Sequence, residues 1–519
     1  MTGKVWLVGA GPGDAGLLTI KAKRILEGAD VIVYDHLVGK EILTMIHGEK
    51  EWINVGKIAG HHPIPQDEIN QILVREAVAG KKVVRLKGGD PFLFGRGGEE
   101  LEELKKNAIP FEVVPGVTSP LAVPAYNGIP VTHRDYTSSL HIITGHRKKG
   151  IEEKISYETL VRIDGTLVFL MGVNALPDIM NGLLEAGMNP DMPAAILQEG
   201  TTARQQKVVA TISTLEQKSK EANIKPPAVI VVGKVCGLSE ELAWHENLPL
   251  AGMRVVVTRP AEMIADMSER LRALGAEVLE LPTIETVAIK ENKVLETRLK
   301  NIADYAWIVF TSQVGVRIFF EEFLENEIDI RALSNAKFAV IGEGTRNALK
   351  EYGIIADLMP EVYDGETLGH LLVGENICGK NILIPRARKG NKNLVPILEA
   401  AGANVEDVPL YDTVYKKDSV VNLREELEKN SVDSVVFTSG STVEGFVEMA
   451  GCGNAKEWEE DCREETREER QEKWREMFQG FTAVCIGEQT KTVAEKYSMK
   501  CKVAEKATVE SIIEKMLER

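Results

Sequence analysis

Three stretches in the second half of the chain recur later in the same order. GMRVVVTRPAEMIADMSERLRALGAEVLELPTIET, from Gly252, matches GKNILIPRARKGNKNLVPILEAAGANVEDVPLYDT, from Gly379; WIVFTSQVGVRIFF matches SVVFTSGSTVEGFV; and AVIGEGTRNALKEYG matches AVCIGEQTKTVAEKYS. Each stretch sets a short β-branched run beside a helical one, so the repeat constrains residues 252–519 to two copies of one α/β unit. Arg259 and Arg386 are 127 residues apart, as are Thr311 and Thr438, whereas Gly342 and Gly487 are 145 apart. The second copy therefore carries 18 extra residues, in a charged insertion at about 454–476. Residues 456–476 hold 10 acids and 6 bases, which predicts a solvated, largely helical excursion supported by i,i+4 ion pairs.

The first half has the same rhythm without the repeat. KVWLVGAG, TIKAKRILEGA, DVIVYD, KKVVRLKGG and GGEELEELKKN alternate strand with helix, which predicts α/β layers with parallel sheets. The pattern lapses over CGLSEELAWHENLPLAG, which divides the chain into residues 1–245, a linker at 246–251, and residues 252–519. The net charge is -16, but residues 1–245 hold 27 bases against 29 acids, so the acidity lies in the C-terminal part. That balance excludes general nucleic-acid binding and leaves room for local basic pockets. No run has the apolar length of a signal peptide or a membrane span, and the six cysteines show no C-x-x-C spacing. The expected setting is cytoplasmic, with neither a metal site nor a disulfide framework.

Gly11 to Gly16, G-P-G-D-A-G, satisfies the dinucleotide fingerprint G-x-G-x-x-G, and Asp35 at the end of VIVYD imitates its ribose-binding acid. The chemistry points elsewhere. Pro12 removes one of the backbone donors a pyrophosphate needs, and Asp14 sets a carboxylate where it caps TIKAKRILEG and repels phosphate. A second glycine loop, RLKGGDPFLFGRGGEE, again carries an acid, Asp90. Two carboxylate-bearing glycine loops suit a ligand with hydroxyls, an amino group and a positive centre, as in S-adenosyl-L-methionine. His61 and His62 have no carboxylate or cysteine at ligand spacing and read as surface residues.

Residues 3 to about 243 resemble uroporphyrinogen-III C-methyltransferase, the enzyme that makes precorrin-2. The strings that carry this are LVGAGPGDAGLLT, ADVIVYDHLV, VGKIAGHHPIPQDEIN, RLKGGDPFLFGRGGEE, VVPGVTSPLAVPAYNGIPVTHRD, TLVFLMG and QEGTTARQ. The resemblance implies two α/β subdomains, split near 115–135, with S-adenosyl-L-methionine between them. It gives binding positions at Pro12, Gly88, Gly89, Asp90, Leu93, Thr118, Ser119, Met171 and Gly200, a proton acceptor at Asp35 and a proton donor at Lys57. It also implies a homodimer. A substrate bearing eight carboxylates calls for cationic contacts, with Lys87, Arg96, His133 and Arg134 as candidates.

Residues 252–519 resemble uroporphyrinogen-III synthase through VVVTRP, IVFTSQVG, AVIGEGT, PEVYDGETL, ILIPRARKG, VVFTSGS and CIGEQT. The duplication agrees with that family's two similar α/β domains, here expected at 252–283 plus 413–519 and at 284–412. Tyr415 matches a tyrosine that assists loss of a hydroxyl, and Thr311 and Thr490 fall at substrate-contact positions. The two resemblances imply a bifunctional enzyme: ring closure of hydroxymethylbilane to uroporphyrinogen III, then two methylations to precorrin-2. The alternatives are a methyltransferase fused to a non-catalytic tetrapyrrole-binding module and a nucleotide-dependent oxidoreductase.

Overall fold

Valine-rich runs that end in glycine become strands buried on both faces. In the computed structural model, which describes residues 2–56, 64–145, 155–390, 393–451 and 467–518, β1 (Lys4–Gly9), β2 (Val31–Tyr34), β3 (Glu51–Asn54), β4 (Lys82–Lys87) and β5 (Phe111–Val114) form an all-parallel sheet ordered β3-β2-β4-β1-β5. Strand alternation sorts its side chains. Val8, Ile32, Val84 and Leu86 meet Ala22, Leu26, Ile42 and Leu43 on one face. On the other, Val5, Leu7, Val31, Val33 and Val83 meet Ile69, Ile72, Leu73, Ala77 and Leu104. Thr19, not Asp14, caps the helix Ile20–Glu27, its side chain accepting from the Ala22 N–H. Asp14 instead caps the single 3-10 turn Ala15–Leu17, which intervenes between the loop and the helix.

A second sheet is built from β6 (Leu140–Thr144), β7 (Thr166–Leu170), β8 (Pro193–Gln198), β9 (Gln206–Thr211) and β10 (Ala228–Val232), in the order β6-β7-β10-β8-β9. The expectation of parallel sheets fails here. β6 and β7 are parallel, but β10 runs antiparallel to both its neighbours and β9 runs antiparallel to β8. The link from Gln198 to Gln206 is too short to return a chain for parallel pairing, which needs a crossover of about a dozen residues.

The duplicated half supplies β11 (Arg254–Val257), β12 (Glu277–Glu280), β13 (Ile284–Ala288), β14 (Trp307–Phe310), β15 (Lys337–Val340), β16 (Asn381–Ala387), β17 (Asn404–Tyr415), β18 (Ser434–Phe437), β19 (Thr482–Cys485) and β20 (Lys500–Val503). These form two sheets, β12-β11-β18-β19-β20 and β13-β17-β16-β14-β15. The copies exchange halves. β11 opens the first copy and pairs with β18 of the second, while β16 opens the second copy and pairs with β14 of the first. The described residues fall into two compact units, Met1–Thr283 with Lys417–Arg519, and Ile284–Lys416. The linker at 246–251 lies inside the first.

The charged insertion is only partly as expected. Its residues 454–466 lie outside the described ones, but the helix Arg467–Phe478 that ends it buries Trp474 and Phe478 among Phe446, Phe481 and Tyr497. Apolar anchors thus tether the charged segment to the core. Among the described residues no helix is long and apolar enough to cross a membrane.

Candidate functional site

The loops that leave the carboxyl ends of β1, β4 and β5 meet where a parallel sheet opens its crevice. Gly11 N–H donates to the Gly89 carbonyl at 3.2 Å, and Gly89 N–H returns a bond to the Gly11 carbonyl at 2.7 Å. Asp90 secures the third loop: its Oδ2 accepts from the Gly116 N–H at 3.1 Å and its Oδ1 from the Phe92 N–H at 2.8 Å. Gly116 has to be glycine, because a Cβ there would stand 2.3 Å from the Gly89 carbonyl oxygen. Pro12, Gly88, Gly89, Asp90, Thr118 and Ser119 are thereby carried on three loops laced to one another, with Leu93 half-buried just beyond Asp90.

The loop after β8 reaches the same place. Gly200 is packed so closely on Val123 that a Cβ would approach its Cγ1 to 2.4 Å. Next to it, Thr201 Oγ1 accepts from the Asp14 N–H at 3.2 Å. Asp14 gives its two oxygens to this chain, one to the Gly16 N–H and one to the Tyr126 hydroxyl, both at 2.6 Å. Burial and the Asp14 carboxylate hold the Tyr126 hydroxyl well above the usual phenol range. Met171 follows β7 in the left-handed region (φ 55) with its side chain half-exposed.

Asp35 stands at the end of β2 beside these loops. Its Oδ1 accepts from the Leu37 N–H at 3.1 Å and its Oδ2 from Arg85 Nη2 at 3.0 Å. Arg85 lies inside β4, and its Nε donates to Glu100 Oε1 at 3.2 Å. Lys87 Nζ donates to the same oxygen at 3.0 Å, and Gln66 Nε2 at 3.2 Å. Glu100 is 0% exposed and its Oε2 has no partner among the described residues. Lys87 is therefore not an anchor for substrate carboxylates: it is 6% exposed and bound inward. Burial, then the Arg85 guanidinium, push its ammonium below the usual lysine range. Sequence reasoning missed Arg85 and Glu100, although a charge in the middle of VVRLK was a signal, since a strand buried on both faces must pair it.

Lys57, His61 and His62 lie outside the described residues. Arg96 has a left-handed backbone and pairs with Glu99 on the surface. Arg134 is exposed, and His133 Nδ1 accepts from the Asp135 N–H within a turn.

In the duplicated half, Thr311 follows β14 directly, and the next residue, Ser312, caps the helix Gln313–Glu325 by accepting from the Gly315 N–H at 2.9 Å. The Ser312 hydroxyl also meets the buried Tyr411 hydroxyl at 2.8 Å, a pair the sequence did not suggest. Burial pushes the Tyr411 hydroxyl up. Tyr415 ends β17, opposite Ile284. Thr490 belongs to the first unit, in the opening turn of the helix Glu488–Lys496, and is 4% exposed.

Glycine loops laced at the carboxyl end of a parallel sheet, followed by an exchanged α/β duplication, define a two-module α/β protein. Residues 4–216 match the family of tetrapyrrole (corrin/porphyrin) methylases, and residues 265–514 match uroporphyrinogen-III synthase HemD. The chain is 47% identical to the porphyrin biosynthesis protein HemD of Ruminiclostridium josui, over 99% of this chain and 98% of that one. It belongs to that family and carries a uroporphyrinogen-III C-methyltransferase module followed by a uroporphyrinogen-III synthase module. It is 41% identical to uroporphyrinogen-III C-methyltransferase of Bacillus subtilis, over 68% of this chain and 72% of that protein. Siroheme synthase of Escherichia coli O1:K1 / APEC is 51% identical over 47% of this chain and 53% of its own length. Among solved structures, uroporphyrin-III C-methyl transferase from Thermus thermophilus, complexed with S-adenyl homocysteine, is 39% identical over 45% of this chain and 98% of that chain, with a TM-score of 0.39.

Proposed function

We propose that the synthase module closes hydroxymethylbilane to uroporphyrinogen III, and that the methyltransferase module moves two methyl groups from S-adenosyl-L-methionine onto that product to give precorrin-2. The observation that carries the methylation reading is the convergence of the loops bearing Pro12, Gly88 to Asp90 and Gly116 to Ser119 beside a carboxylate, Asp35, oriented by a buried arginine. The loops suit such a donor. They approach so closely that a Cβ at Gly9, Gly88 or Gly116 would stand within 3 Å of neighbouring backbone, and each Asp90 oxygen keeps a lone pair after its internal bond.

S-adenosyl-L-methionine, when bound, supplies an electrophilic methyl group, so the protein's main work is alignment in a water-excluded cleft. Leu93, Met171 and Gly200 complete the donor positions. As a pyrrole carbon forms the new C–C bond, the ring sheds its N–H proton, and Asp35 accepts it; such help is worth about 10² to 10⁴ in rate. Lys57 serves as the proton donor and Arg134 holds substrate carboxylates. In the synthase module Tyr415 assists departure of the bilane hydroxyl. Thr311 and Thr490, at helix N-termini, favour carboxylate arms. The same reading includes a homodimer in the cytoplasm and no metal in either reaction.

The test supplies the full chain with hydroxymethylbilane, with and without S-adenosyl-L-methionine. Isomer III is expected without the donor and the dimethylated chromophore with it. Only isomer I, which forms spontaneously, would overturn the synthase assignment; isomer III without methylation would overturn the donor assignment.

A further inference from the structure

The edge strand β12 of the synthase module holds two loops of the donor crevice from behind. Glu41, in the methyltransferase helix Lys40–Thr44, is 3% exposed and makes three bonds. Its Oε2 accepts from the Ala15 N–H at 3.1 Å, in the turn that closes the first glycine loop. Its Oε1 accepts from the Val278 N–H of β12 at 3.0 Å and from Arg272 Nε at 2.7 Å. Arg272 also bonds Glu280 at 3.0 Å, and Glu280 meets His47 at 2.8 Å. One residue along β12, Glu277 Oε2 accepts from the Ala203 N–H at 2.9 Å, in the loop that carries Gly200. Arg254 bonds Glu277 at 3.1 Å and fixes that carboxylate in turn.

These contacts are built for position. A buried carboxylate that accepts two backbone N–H bonds and one guanidinium bond holds its neighbours in fixed register, and removing any member strands a buried polar group. We infer that Glu41 is a positioning residue for the methyl donor, and that Arg272 and Val278 of the synthase module, acting through it, set the donor's affinity. This rests on the donor crevice proposed above. By linkage, donor binding acts back on β12 with the same factor.

The experiment uses the full chain and S-adenosylhomocysteine, the demethylated product, as the calorimetric probe on wild type, Glu41→Gln, Arg272→Met and Arg272→Lys. Wild type is expected to bind. Glu41→Gln and Arg272→Met are expected to weaken binding about five- to tenfold, with donor KM rising by the same factor and kcat for methylation within about twofold. Arg272→Lys, which restores one charged donor, is expected to recover part of the loss. Formation of isomer III by each variant shows that the synthase module is folded. Unchanged affinity in Arg272→Met that still forms isomer III overturns the inference. So does a loss of affinity matched by an equal loss of ring closure in the volume-conserving Glu41→Gln, because that marks general destabilisation. A wild type that gives no heat overturns the donor crevice and the inference together.

Discussion

Arg85 Nη2 lies 3.0 Å from Asp35 Oδ2, at the point where β2 ends beside the glycine loops. The guanidinium is fixed from behind by Glu100 and by the Leu86 carbonyl at 2.9 Å, so it orients the carboxylate without competing for water. Asp35→Asn removes the proposed proton acceptor and keeps the shape. Methylation of uroporphyrinogen III is expected to fall by about 10² to 10⁴ while isomer III formation stays within about twofold. Equal loss of both activities in parallel assays would contradict the role.

Gly116→Ala tests the crevice without replacing a charged group. The new methyl would overlap the Gly89 carbonyl oxygen, and the Gly9 Cα lies 2.8 Å from the same position, so the backbone has to move in the loop after β4 and at the end of β1. Overpacking of this kind costs about 1 to 3 kcal/mol. Binding of S-adenosylhomocysteine is expected to weaken more than about tenfold, measured by calorimetry, with ring closure preserved.

The two tyrosines of β17 should separate. Tyr415→Phe is expected to lower isomer III formation by about tenfold or more and to leave methylation of added uroporphyrinogen III unchanged. Tyr411→Phe removes a buried hydroxyl bonded to Ser312, yet Ser312 keeps the Gly315 N–H. Its expected cost is about 1 kcal/mol of stability, read as a lower denaturant midpoint, with little change in isomer ratio.

Local features were legible in the sequence. The G-P-G-D-A-G and K-G-G-D strings signal turns through glycine alone, and the repeat pairing Arg259 with Arg386 predicts matched strands, which β11 and β16 are. Features that depend on a distant partner were not. Nothing in KEILT singles out Glu41, which the approach of Arg272 and Val278 makes a buried, bonded carboxylate. Lys87 reads as a cation on a loop until Glu100, on the next helix, turns it inward. The antiparallel β10 looks like any other valine run, because direction is set by the connection and not by the residues within the strand.

Glu41 also gives the stability of the first unit a pH dependence. Burial lifts its carboxyl from the usual 4.5 to about 7, against the opposing pull of Arg272 and its backbone bonds. Arg272 faces it directly, with Glu280 and His47 beyond and Tyr126 and Asp14 on the loop side. Because the folded value lies above the unfolded one, the group's contribution is fully present below about 4.5 and is lost as pH rises through about 7. Over that window the unfolded chain releases a proton that the folded chain keeps. At 1.36 kcal/mol for each unit of difference, the loss approaches about 3 kcal/mol. Glutamine does not titrate, so the unfolding free energy of wild type relative to Glu41→Gln is expected to fall by that order between pH 4.5 and 7.5 and to level off above. Urea titrations of both full-length proteins across this range measure it directly. Parallel curves would mean that Glu41 has the same proton affinity folded and unfolded, and that its three bonds offset the whole cost of burial.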